Sequence, residues 1–160
     1  MKTQAFFFLT ALFVGMMSCQ KDDKSDAHAG IHFTKHEKVS DVIVSYDEIV
    51  GYDSTRYIFQ VTPTAWNRLK DEISTGYPDP HFAFGVAVDQ QLVYTARYVP
   101  GYYSSSQHDV ITFLLVQPDL VYVTLGYPSS PGLFTGEDSR NDSRLIEQLK
   151  KDDKLMEIGN

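Results

Sequence analysis

Between Phe82 and Leu125 the chain carries four apolar runs in close succession, and this stretch limits the fold more than any other feature. Phe82-Ala83-Phe84-Gly85-Val86-Ala87-Val88 alternates large with small side chains, as a strand does when one face packs on a core and the other is crowded. Asp89-Gln90 suits a turn into Leu92-Val93-Tyr94-Thr95-Ala96-Arg97-Tyr98, which gives a hairpin. Val110 to Val116 is the most apolar run and is expected to be a central strand, with Val121 to Leu125 another. Upstream, Val42-Ile43-Val44 opens the folded part, with Tyr46 two residues beyond Val44 on the same face if the strand continues, and Arg56 to Val61 is rich in aromatic and β-branched residues. Thr62-Pro63 then reads as an N-cap and first helical position, because proline there lacks only an N–H that would be unpaired anyway. The helix is expected to run to about Ser74, with Trp66, Leu69 and Ile73 on one face and Gly76 as its stop. A second helix is predicted from about Asp142 to Lys151, with Leu145, Ile146 and Leu149 inward and basic residues near its end. The expected fold class is α+β: a single domain with a largely antiparallel sheet of five or six strands and two helices on one face.

Composition narrows the function. The 160 residues hold 14 Lys+Arg against 21 Asp+Glu, a formal charge of −7, which opposes nucleic-acid binding because displacing phosphate counterions takes basic side chains. The single cysteine excludes an intramolecular disulfide and a zinc site of paired cysteines. One domain of this size buries roughly 70% of the surface its unfolded chain exposes. No cofactor motif stands out.

The N-terminus gives an address. Met1-Lys2-Thr3-Gln4 precedes an apolar run from Ala5 to Met17, and residues 1–18 read as a cleaved secretory signal peptide. The run is too short for a membrane span of about 20 residues. The only cysteine follows directly, and Met16-Met17-Ser18-Cys19 resembles the lipobox of bacterial lipoproteins, with Met16 where that family prefers leucine. The resemblance implies that Cys19 is linked to diacylglycerol, becomes the first residue and is N-acylated, for example with palmitate. Two or more acyl chains hold stably where one is marginal, since each buried CH₂ contributes roughly 0.8 kcal/mol. Gln20-Lys21-Asp22-Asp23 resembles the short export tag that sends some lipoproteins to the outer face of the outer membrane; the periplasmic face is the alternative. Removing residues 1–18 takes away only Lys2 among the charged groups and leaves 13 basic against 21 acidic residues, a charge of −8. Residues 19–40 are expected to form a lipidated, flexible tether, because so few apolar groups cannot offset the entropy of ordering. Residues 41–160 are expected to form the globular domain. From Arg56 to about Val116, the order strand, Thr-Pro-started helix, Phe84-Gly85-Val86-Ala87-Val88-Asp89 and Leu92-Val93-Tyr94 is similar to the periplasmic head region of the SecD translocase subunit, with Gln90 where that family has glycine. That resemblance implies a compact envelope module and transfers no functional residue.

Several groups of residues carry candidate chemistry. His28, His32 and His36 recur every four residues and would share one face of a helix able to bind a transition metal, but Gly30 opposes a helix there. Ser104-Ser105-Ser106-Gln107-His108-Asp109 holds the residue types of a hydrolase triad, yet adjacency in sequence is the wrong geometry, and a polar loop tip explains it. Tyr98, Tyr102 and Tyr103 gather around Pro100-Gly101 and offer flat apolar faces with polar tips, suited to a sugar ring or a protein partner; packing over a sheet edge is the plainer explanation. Asp138-Ser139-Arg140-Asn141-Asp142-Ser143-Arg144 lacks the glycine and terminal glutamate of a calcium loop, so helix capping by Asp138, Ser139 or Asp142 is expected. The expectation is therefore a lipid-anchored cell-surface protein, a non-enzymatic module that binds a protein or a glycan. A glycan- or peptide-processing enzyme, whose paired carboxylates only a structure can place, and a structural subunit of an envelope complex are the alternatives.

Overall fold

The computed structural model describes residues 29–76, 82–100, 104 and 106–159. It shows a single α+β domain with one mostly antiparallel open sheet and two helices. The strands are β1 (Ile31–Lys35), β2 (Val42–Val44), β3 (Ile49–Asp53), β4 (Ile58–Val61), β5 (Ala83–Val88), β6 (Gln91–Tyr98), β7 (Gln107–Gln117) and β8 (Leu120–Tyr127). Helix α1 (Pro63–Gly76) lies between β4 and β5, and α2 (Ser143–Lys151) follows β8. The sheet therefore has eight strands where five or six were expected.

The two extra strands have clear causes. β1 lies inside the segment expected to be tether, so the folded part begins well before residue 41. Its two bulky residues, Ile31 and Phe33, alternate with His32 and Thr34, and all four are buried. The polar surroundings of β1 hid this short period-two signal. β3 contains Gly51 at its centre and ends in Asp53, two residues depleted in strands that interrupt its Ile, Val and Tyr. It is held by register with β4, where Tyr52 faces Phe59 and Asp53 faces Ile58.

Strand order is β2-β1-β5-β6-β7-β8-β4-β3. Two four-stranded halves, each made of antiparallel pairs, meet at the parallel β6–β7 seam, where Ala96, Arg97 and Tyr98 pair with Ile111, Thr112 and Phe113. The sheet is strongly coiled. β2 and β3 are its opposite edges, yet only Ser45–Glu48 separate them in sequence, a link that spans at most about 18 Å. Contacts across the core agree: the Phe33 ring of β1 meets the Phe59 ring of β4 edge-on at 5.1 Å, although four strands lie between them in the sheet. Phe33 and Phe84 also pack against Phe113 at 5.4 and 5.6 Å.

Both helices feed this same core, α1 through Ala65, Trp66, Leu69 and Ile73 and α2 through Leu145 and Leu149. The Thr62-Pro63 start is as expected from the sequence, with the Thr62 hydroxyl accepting from the Ala65 N–H at 3.3 Å. Asp142 is the N-cap of α2 and accepts from the Arg144 N–H at 2.9 Å. The link itself carries a capping box, in which the Glu48 carboxylate accepts from the Ser45 N–H at 3.1 Å and Arg68 of α1 clasps Glu48 at 2.8 Å. No helix among the described residues is long and apolar enough to cross a membrane.

Candidate functional site

Helix α1 and the seam strands enclose a largely apolar groove. α1 repeats a stripe of Trp66, Lys70, Ile73 and Ser74, spaced as one helical face requires. β6 ends in Tyr98, and β7 brings Leu115 and Val116 beside it. The cavity between them measures about 420 Å³, within the range of ligand sites. Trp66 and Ile73 are nearly covered and form its floor, whereas Val116 is 72% exposed at its rim. The groove lies at the carboxyl ends of β6 and β7, the parallel pair of the sheet, and crevices in that position commonly hold ligands in α/β sheets. Among the described residues Lys70 is the one charged side chain lining it, a positive charge in a protein whose formal balance is −7. Indole and phenol faces, an apolar floor and one cation can grip an aromatic or apolar group that carries an anion or hydroxyls nearby.

A second cleft opens on the other side of the seam, where β6 and β7 part. It measures about 230 Å³ and is lined by Arg97, Asp109, Glu137 and the Phe134 ring, among others. Arg97 donates to the Gln107 side chain at 3.2 Å. Among the described residues no ion pair joins Arg97 to either carboxylate. The segment after β8 lines this cleft because the Thr135 N–H donates to the His108 carbonyl at 2.9 Å. A third cavity of about 580 Å³ lies between α2 and the β5–β6 turn, with Arg144, Glu147 and Lys151 on one side and Asp89 and Gln90 on the other.

The residues singled out from the sequence fall as follows. Cys19, Gln20, Lys21, Asp22, Asp23 and His28 lie outside the described residues, as do Tyr102, Tyr103 and Ser105. Tyr98 is half-buried and lines the groove. His32 sits in β1, buried, with Nδ1 3.2 Å from the Gly30 carbonyl oxygen. His36 follows the strand in a turn, its ring edge-on to Phe82 at 5.6 Å. A strand rather than a helix carries His32, so the four-residue spacing gives these two imidazoles no common helical face, and among the described residues no cluster of three metal-binding side chains occurs. His108 and Asp109 are neighbours on β7, in the stretch between Gln107 and Ile111 where the pairing with β8 shifts register, and no hydrogen bond joins them.

Among the described residues Arg140 is the buried arginine or lysine. Its Nε and Nη2 donate to the Asp138 carboxylate at 2.8 Å, its Nη1 donates to the Val123 carbonyl at 3.2 Å, and its guanidinium lies 3.5 Å over the Tyr57 ring. The Arg140 hydrogen bonds hold the Asp138 carboxyl below its usual range. Asp138 thus serves Arg140 instead of capping a helix, while Asp142 caps α2 as expected.

Sequence reasoning assigned Trp66 to the core and passed over Leu115, Val116 and Lys70. The one available signal was Val116, an apolar residue on the outward side of the most apolar run. Compared with known protein families, the chain matches no family; no characterised protein and no solved structure matches it either.

Proposed function

We propose that this protein is a lipid-anchored module of the bacterial cell envelope, displayed on the outer membrane, that binds a protein or glycan partner through the groove between α1 and the ends of β6 and β7. The groove carries this reading: it joins Trp66 and Tyr98 to an apolar floor and leaves Val116 open to solvent. Exposed apolar side chains beside aromatic ones mark interaction sites. The lipobox-like Met16-Met17-Ser18-Cys19 and the tag-like Gln20-Lys21-Asp22-Asp23 support the address. Tyr102 and Tyr103 follow Tyr98 within five residues, which makes them candidates for the same site. The resemblance to the SecD head region agrees with a compact envelope module.

The test is a pull-down from detergent-solubilised membranes with the intact chain, in which a stoichiometric partner is expected. Val116→Lys should reduce its retention by about tenfold or more, the loss of a contact worth over ~1.4 kcal/mol, while leaving the melting temperature almost unchanged. Equal retention by wild type and variant would remove the groove from consideration.

The second cleft favours one further reading. Asp109 and Glu137 line one cavity with Phe134 and Arg97, and two carboxylates facing one cleft are the residue types that a glycan-processing enzyme uses. Turnover of a polysaccharide that disappears in Asp109→Asn and in Glu137→Gln, but not in Val116→Lys, would move the function from the groove to the cleft.

A further inference from the structure

The parallel seam of the sheet is short, and the cleft where it opens holds charge that the fold does not use. β6 and β7 pair only from Ala96 with Ile111 to Tyr98 with Phe113, and beside this short pairing lies the cleft of about 230 Å³. Arg97 comes to it from β6 and Asp109 from β7. Phe134 and Glu137 come from the segment after β8, which the Thr135 N–H fastens to the His108 carbonyl at 2.9 Å. That segment passes close to β7 at Gly136, where an added Cβ would lie 3.3 Å from the Asp109 carbonyl oxygen and 2.6 Å from the Phe134 ring. The ring thus folds back over the glycine.

Among the described residues nothing neutralises these groups. Arg97 donates to the uncharged Gln107 amide at 3.2 Å, and neither Asp109 nor Glu137 joins an ion pair. Tyr94 lines the same cleft, is only 6% exposed, and its hydroxyl has no hydrogen-bond partner among the described residues. The Nδ1 of His108, the residue before Asp109, is buried and unpartnered in the same sense. Buried polar atoms are nearly always paired, so two unmet ones in and beside the wall of a cleft with three unpaired charges call for a polar occupant.

We propose that this cleft is a binding site for a free basic α-amino acid. One guanidinium and two carboxylates are complemented, charge for charge, by a molecule with one carboxylate and two cationic groups. The guanidinium of Arg97 offers a planar fork to a carboxylate, and Asp109 and Glu137 each accept from an ammonium. The Phe134 ring gives the methylene stem between those groups an apolar face. The cavity is smaller than the roughly 300–1,000 Å³ of sites for drug-sized ligands, which suits a single small molecule. A neutral amino acid would leave one carboxylate unmet, and an acidic ligand would meet two like charges. The cleft is separate from the groove, and binding in it needs no catalysis, so the proposal stands independently of what the groove binds.

Calorimetric titration of the full chain in detergent micelles with lysine tests it. Saturable heat is expected, with leucine bound about tenfold more weakly because it lacks the second cation. Arg97→Gln should weaken lysine by about tenfold yet leave the diamine cadaverine, which has no carboxylate, bound at least as well as by wild type. Asp109→Asn and Glu137→Gln should each weaken both ligands. Nα-acetyl-lysine amide, stripped of the carboxylate and of one cation, should bind about tenfold or more below lysine. Absence of saturable heat up to about 10 mM lysine would overturn the proposal. So would equal affinity for lysine and its blocked form, or lysine binding indifferent to the three substitutions. Should any variant fail to fold by circular dichroism, the comparison of lysine, leucine and the blocked form on wild type decides: equal affinities overturn the site.

Discussion

Arg140 ties three separate parts of the chain together: the Asp138 carboxylate, the Val123 carbonyl of β8 and the Tyr57 ring in the β3–β4 turn. Arg140→Ala is expected to lower unfolding free energy by about 2–4 kcal/mol, measured in urea, since it leaves a buried carbonyl and an aromatic face without their partner. Arg140→Lys should recover little of the loss, because an ammonium cannot keep the forked contact with Asp138. Tyr94 presents the opposite case. Its hydroxyl is buried with no hydrogen-bond partner among the described residues, and burial pushes its pKa up. Tyr94→Phe should therefore be neutral or stabilising by about 1 kcal/mol, and a clear loss in the same urea series would show that the hydroxyl is satisfied after all. The capping role of Asp142 was legible in sequence because its partner is two residues away. That of Arg140 was not, since Val123 and Tyr57 come beside it only through the fold.

The helices and the central hairpins were legible in outline, because their signals are local: Thr62-Pro63 for α1, Asp142 for α2, Asp89-Gln90 between β5 and β6. Thr62→Ala and Asp142→Ala should each cost about 1 kcal/mol, read as a shift in the urea midpoint without a change in slope. β1 and β3 were not legible, because their stability comes from pairing with distant strands: Phe33 lies opposite Val86, and Phe59 is shared between Tyr52 and Val121. Gly51 stands where Met156 crosses, a contact that no local pattern around it announces. In the groove, Tyr98 was recognised as a candidate, but its neighbours Trp66 and Leu115 come from elements far apart in sequence, and no local pattern announces that they meet.

Across the whole molecule, several carboxylates are held below their usual range. At Glu48 the Arg68 hydrogen bond is the main cause. At Asp138 it is the Arg140 hydrogen bond. At Asp53 burial acts in the raising direction and is outweighed by hydrogen bonds from the Thr55 hydroxyl and from the Ile158, Arg56 and Thr55 N–H groups. A carboxyl whose folded pKa is depressed contributes stability that is complete above its unfolded pKa and is lost as pH falls through the folded value. Stability should thus be level from neutrality to about pH 5 and decline below about pH 4, where free Asp and Glu titrate. Melting temperatures across that range check this, and Arg68→Ala should shallow the decline by freeing Glu48. The four-residue link between β2 and β3 has its own effect at this scale. It works as a drawstring: its contour length, more than any strand pairing, limits how far the two ends of the sheet can spring apart. Splicing a flexible Gly-Ser insert into Ser45–Glu48 should relax the curl and widen the spacing of Phe33 and Phe59, so a few residues far from any ligand would tune the shape of the whole sheet.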